Sequence, residues 1–158
     1  MPIYLKYGSI NGGVTAEGYD KWIEVHSFQW GVGRGISSPV GNSEDREASA
    51  PSISEVTITK ELDTASIKLV TEALHGLGEK ATIDFTRTDK NKLTKYLTVE
   101  LTNTMISGYS VSSGGDRPTE SLSLNFTKVE VKDVPSAAAG KDASPESVTY
   151  DLSTAKIA

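Results

Sequence analysis

The chain has 158 residues, of which 37% are hydrophobic and 23% charged, and a net charge of −5. That length and composition suit one folded domain with a single core, and exclude a disordered chain. The acidic balance argues against nucleic acid, the absence of Cys removes disulfides, thiolate metal sites and thiol nucleophiles, and no run of about 18 apolar residues is present to cross a membrane.

Ile3 and Leu5 alternate with Tyr4 and Lys6, the period-2 pattern of a first strand. Met1 to Tyr7 lack the basic start and apolar run of a cleaved signal peptide, so folding in the cytoplasm is the default expectation. Asn11-Gly12-Gly13 reads as a turn. A second strand is expected from Tyr19 to Val32, and its alternation breaks. Ile23 and Val25 share one face with Ser27 and Gln29, while Phe28 and Trp30 share the other with Glu24 and His26. The apolar phase therefore switches near His26-Ser27. A bulge produces such a switch, and so does a strand whose two ends bury opposite faces.

From Gly33 to Pro51 the chain is rich in Gly, Ser and Pro, and carries Glu44, Asp45, Arg46 and Glu47. A loop of roughly twenty residues without structure is unusual in a small domain and points to a surface loop or an arm reaching a neighbouring subunit. Val56 and Ile58 then alternate with Thr57 and Thr59 as a half-buried strand. Asp63 offers a cap to a helix expected at 64–75, with Ala65, Leu69, Ala73 and Leu77 on one stripe, joined by Val70 and Leu74. Gly76 or Gly78 can end it in the left-handed conformation. A helix of about 11–12 residues is not stable alone and must dock on the strands.

Ala81–Thr86 and Tyr96–Ser107 read as strands separated by a polar turn over Arg87–Lys92. In the second of them Leu97, Val99 and Leu101 face one way. Ser113 to Asp116 is a turn. Glu120–Val131 alternates Leu122, Leu124 and Phe126 against Ser and Asn, then slips in phase to Val129 and Val131. Pro135–Pro145 reads as a linker, and Val148, Tyr150 and Leu152 as a last strand. About eight strands and one helix favour a mainly β fold, a closed or nearly closed antiparallel β-barrel with one flanking α-helix. The whole chain, 1–158, reads as one domain.

The sequence offers little chemistry. Glu24 and His26 lie two apart on one strand face, where such a pair could hold a metal or act as acid and base, but no third group is identifiable. His75 suits a helix C-terminus. Gly31-Val32-Gly33-Arg34-Gly35 is not followed by a helix and is rejected as a dinucleotide fingerprint. Asn125-Phe126-Thr127 matches a glycosylation sequon inside a strand with no secretory signal and is taken as chance. Trp22, Phe28 and Trp30 could stack on a sugar, or serve as core aromatics. No catalytic residue, metal ligand or cofactor is assigned.

The ordered set WIEVHSFQWGV, SEVTITKELDTASIKL and RPTESLSLNFTKVEV resembles the haemolysin-coregulated protein (Hcp) family, the tube component of bacterial type VI secretion. Its most specific pieces are Phe28-Gln29-Trp30-Gly31, Thr59-Lys60-Glu61-Leu62-Asp63 with Ser66, and Thr119-Glu120 leading into Leu124-Asn125-Phe126. The resemblance implies a structural protein and not an enzyme: six barrel subunits closing into a ring, rings stacking into a tube, sheath and spike proteins as partners, and effector proteins carried in the lumen. It implies export from the cytoplasm without a cleaved signal, while the net charge and the lack of a long apolar run lead us to expect no bound nucleic acid and no direct membrane insertion. It places Gln29 on the lumen; the length of the Gly33–Pro51 loop, with strands that have no single polar face, puts Ser38, Val40, Asn42, Glu44 and Arg46 on a subunit-interface arm. Two other readings stay open: a monomeric ligand-binding barrel, for carbohydrate or another small molecule, and a hydrolase built on Glu24 and His26.

Overall fold

The computed structural model describes residues 1–37, 40–41, 47–135 and 144–158. Its strands are β1 (Ile3–Tyr7), β2 (Ile23–Val25), β3 (Ser27–Gln29), β4 (Val32–Gly33), β5 (Ile36–Ser37), β6 (Glu47–Ala48), β7 (Ser52–Ile53) and β8 (Val56–Glu61). Helix α1 (Ser66–His75) follows, then β9 (Glu79–Asp89), β10 (Lys92–Ser112), β11 (Thr119–Asn125), β12 (Lys128–Asp133), β13 (Ser147–Asp151) and β14 (Lys156–Ile157).

Two antiparallel sheets share β10. The larger runs β2-β1-β9-β10-β12-β13-β14, using the first half of β10. The smaller runs β10-β11-β8-β3, using its second half. Both turn apolar side chains to one core, including Leu5 and Ile23 from the larger sheet, Ile58 and Leu122 from the smaller, and Leu69 from α1. Each such side chain contributes about 1.5–3 kcal/mol on burial, so this shared cluster holds the two sheets face to face.

The mainly β, antiparallel class expected from the sequence is the one observed. The barrel is not closed by a continuous ladder: β2 and β3 follow one another in the chain but pair with different partners. Here the phase switch finds its cause. The expected strand Tyr19–Val32 is two short strands, and the chain passes from one sheet to the other at His26, whose N–H donates to the Thr59 carbonyl at 2.7 Å. The second phase slip is the same event. Glu120–Val131 is β11 and β12, and the chain changes sheet between Asn125 and Lys128. A third, in β10, is not signalled by the apolar pattern. Burial moves from Val99 and Leu101 to Thr104 and Ile106, and Asn103 sits at the bend with φ 52°.

The expected polar turn at Arg87–Lys92 is shorter than predicted. It is a two-residue turn at Lys90 and Asn91, with φ values of 47° and 65°. Positive φ at both positions matches the twist of the flanking strands, so β9 and β10 run on to meet it.

The helix starts at Ser66, later than expected, because residues 64 and 65 form a turn. Asp63 does cap it. Its Oδ1 accepts the Ala65 N–H at 2.9 Å, and its own N–H donates to Ser66 Oγ at 2.9 Å. Ala65 and Leu69 are buried and Ala73 packs on the core, as the stripe predicts. Leu74 and Leu77 are not on that face, being 78% and 81% exposed. Leu74 follows Leu69 by five residues, a rotation of about 140°, which carries it to the outer side. Leu77 lies past the helix end. Gly76 is extended, with φ −63° and ψ 149°, not left-handed. Its lack of a Cβ serves close approach, since a methyl there would lie 2.6 Å from the Glu72 carbonyl oxygen.

A hydroxyl-lined sheet face as the candidate functional surface

The smaller sheet is built from strands in which buried and outward positions alternate, the buried ones mostly apolar and the outward ones mostly hydroxyl. On β8, Val56, Ile58 and Lys60 point inward and Thr57, Thr59 and Glu61 outward. On β11, Glu120, Leu122 and Leu124 are buried, and Thr119, Ser121, Ser123 and Asn125 face out. Register then aligns the outward residues into rows across the sheet. One row is Ser27, Thr59, Ser121 and Ser110; the next is Gln29, Thr57, Ser123 and Gly108. Ser27 Oγ and Thr59 Oγ1 share a hydrogen bond of 2.5 Å. At the margin, Ser107 donates to the Glu55 carboxylate.

This face presents hydroxyls that both donate and accept and that lose little rotamer freedom when they bind. No Lys or Arg occupies an outward position on β3, β8 or β11. The sheet is also unpaired at both margins among the described residues: β3 pairs only β8, and the second half of β10 pairs only β11.

Gln29 lies on this face, exposed and opposite Thr57. Phe28, directly before it, turns inward and meets Phe85 edge-to-face with ring centroids 5.0 Å apart. Of the residues expected on the interface arm, Val40 is described and wholly exposed. Ser38, Asn42, Glu44 and Arg46 fall outside the described residues. The arm is not a featureless loop. It carries a two-stranded ribbon, with β4 on β7 and β5 on β6. Ser54 Oγ accepts the Gly31 N–H at 2.8 Å and Ser49 Oγ accepts the Gly35 N–H at 3.0 Å, so serine side chains hold the ribbon where its ladder lapses.

Beneath the hydroxyl face lies a polar network that local pattern did not reveal. Lys60 and Glu120 are both fully buried. Lys60 Nζ donates to Glu120 Oε1 at 2.7 Å, to Asp63 Oδ1 at 3.0 Å and to the Glu61 carbonyl at 2.8 Å, which uses all three of its protons. Ser66 Oγ donates to Glu120 Oε1 at 2.5 Å, and the Tyr109 hydroxyl donates to the other oxygen. Burial alone would raise the Glu120 pKa; these hydrogen bonds and the ammonium charge outweigh it and hold the carboxyl below its usual range. The segments Thr59–Asp63, Ser66 and Thr119-Glu120, separate in sequence, thus meet in one clasp joining β8, β10 and β11 to the start of α1.

Glu24 and His26 line an open cleft of about 310 Å³ with Glu61, Asp63 and Arg117. Two of these neighbours are already engaged: Asp63 accepts from Lys60, and Arg117 Nε donates to the Leu62 carbonyl at 2.7 Å. No hydrogen bond joins Glu24 to His26, and no metal-ligating group of three is present among the described residues. Trp22 meets Tyr19 edge-to-face at 5.0 Å, and Tyr19 stacks on Tyr4, so these rings are packed against one another.

The outward positions of β3, β8 and β11 thus carry hydroxyls, amides and Glu61 but no cation, and the sheet margins are open among the described residues. Residues 4–132 match the type VI secretion system effector family, Hcp, and the chain belongs to that family. It is similar to a solved type six secretion system protein, 26% identical over 99% of each chain, with a TM-score of 0.86. Hcp1 from Salmonella typhimurium is 20% identical, covers 99% of this chain and 98% of its own, and has a TM-score of 0.80. A type VI secretion system effector from Yersinia pestis is 20% identical over 94% of this chain and 98% of its own, with a TM-score of 0.75. No curated protein matches the chain.

Proposed function

We propose that six copies of this chain close into a ring, that rings stack into the inner tube of the secretion machine, and that the hydroxyl face lines the channel. The carrying observation is the smaller sheet: its two open margins invite pairing with a neighbour, while its outward face stays polar and free. A margin of one kind meeting a margin of another is a head-to-tail contact, which yields a ring when the rotation closes. Effector proteins would travel against hydroxyls and amides, through many weak contacts repeated by symmetry. Sheath and spike proteins are the expected outer and end partners. The chain would fold in the cytoplasm and leave with the tube, without a cleaved signal, and act as a structural part and not as a catalyst. Native mass spectrometry tests the ring. Six chains of 16.9 kDa give a species near 100 kDa; a monomer at every concentration rejects the reading.

Two substitutions probe the parts. Gln29→Arg adds one cation per subunit to an exposed site, so ring mass should be unchanged while effector retention falls, because six charges alter the channel potential. Undiminished retention removes Gln29 from the contact. The control is Trp30→Arg, which should damage folding because Trp30 packs on the core. Deleting Ser38 to Ala48 removes the arm beyond its first ribbon pair and should shift sedimentation toward single subunits or unstacked rings; unchanged sedimentation shows the arm is not an assembly element.

A further inference from the structure

An apolar groove of about 700 Å³ runs over β12, β13 and β14. Its floor is Val131, Val148, Tyr150 and Ile157, and Trp30 and Val32 stand in its wall. Val32, Val148 and Ile157 are 54%, 50% and 73% exposed. Exposed apolar side chains gathered in one concave place mark a binding site, and the volume is that of a small-molecule pocket. We infer that the groove binds a single-chain amphiphile with an anionic head, of the fatty-carboxylate class.

Three observations choose that ligand. The first is charge. The chain as a whole is acidic, with 21 Asp and Glu against 16 Lys and Arg. The groove reverses that balance: its charged lining residues are Arg34 and Lys156, both cations, with no carboxylate among them. Both are exposed, so their charge belongs at the rim, where an anionic head meets it. The second is the indole N–H of Trp30, which is buried and has no acceptor among the described residues. Buried donors are almost always paired. A carboxylate brings acceptor oxygens and no donor, so one kind of head group suits the cations and the indole alike. The third is the floor. Val131 and Val148 are register partners across β12 and β13, and Tyr150 and Ile157 across β13 and β14, so apolar surface continues over three strands. An alkyl chain lies on such a strip in van der Waals contact, whereas a sugar or a nucleotide would leave hydroxyls unpaired against it.

Calorimetric titration of the purified protein with sodium decanoate, below its micelle concentration, tests the site. One saturable site per chain is expected, and octanoate, two methylenes shorter, should bind about tenfold more weakly. Decyltrimethylammonium, with the same tail and the opposite charge, should not saturate. Arg34→Gln with Lys156→Gln should weaken decanoate at least tenfold and leave decanol unchanged, which separates head from tail. Val148→Asp, at a half-exposed position that accepts the change without loss of the fold, should weaken both ligands at least tenfold. Decanoate binding left unchanged in either variant overturns the site, and so does equal binding of the cationic surfactant. Native mass spectra of the same samples report assembly separately. Wild-type rings with no saturable site mean a groove closed by a neighbouring copy, and overturn the ligand. A monomer that binds decanoate keeps the ligand and rejects the ring, and a monomer that binds none removes both.

Discussion

Lys60→Met should lower stability by about 3–5 kcal/mol, the cost of leaving one partner of a buried ion pair without the other. The side chains of Lys60 and Glu120 are both at zero exposure, so water cannot replace the lost partner. A domain of this kind has about 5–15 kcal/mol in total, so the urea midpoint should drop steeply or the protein should fail to fold at 37 °C. Met keeps the length and apolar stem of Lys, which assigns the loss to charge and hydrogen bonding. Lys60→Met with Glu120→Leu removes both charges and should recover part of the stability. A single mutant within about 1 kcal/mol of wild type would show that the clasp contributes little. The pH dependence follows from the Glu120 carboxyl, whose folded-state pKa lies below the ordinary value of 4.5. Its contribution is complete above that ordinary value and is lost as pH falls through the lower folded-state one. The loss of stability with falling pH should accordingly be shallower in a Glu120 variant than in wild type.

Leu69→Asp should cost a further large amount, about 3–5 kcal/mol, by placing a carboxylate where no water or cation reaches it. Leu69 is fully buried and is the main apolar side chain that α1 drives into the core. The comparison that isolates the effect is Leu74→Asp, five residues on and exposed to solvent, which should stay within about 0.5 kcal/mol. Circular dichroism melts of the two variants read the difference directly. Equal stabilities would mean that the helix packs by another face. The pair also separates two leucines that helical spacing alone had placed on one stripe.

Much of the surface chemistry was legible because it repeats at short range. Alternation in Val56–Glu61 and in Thr119–Asn125 showed which side of the strand was apolar, and the hydroxyl face is the other side of that same alternation. The phase slips at Ser27 and after Phe126 were visible too, as breaks in a two-residue period. The arm was visible as a stretch with no period at all, though not its ribbon, whose strands are two residues long and carry no detectable pattern.

What the sequence determined by itself was local: which residues form the longer strands, where the one helix begins its apolar face, and that Asp63 stands at its entry. These depend on neighbours within a turn or a pleat, so spacing reports them. Tertiary structure decided which sheet each half of a slipped strand joins, why Leu74 and Leu77 stay in water, and where β10 bends. It also decided that Lys60 finds Glu120, sixty positions away, through the pairing of β8 with β11. A lysine between threonine and glutamate reads as a surface charge by composition. It is buried because the register of two distant strands brings a carboxylate to its ammonium, and the cost of burying either charge is met only when both arrive together.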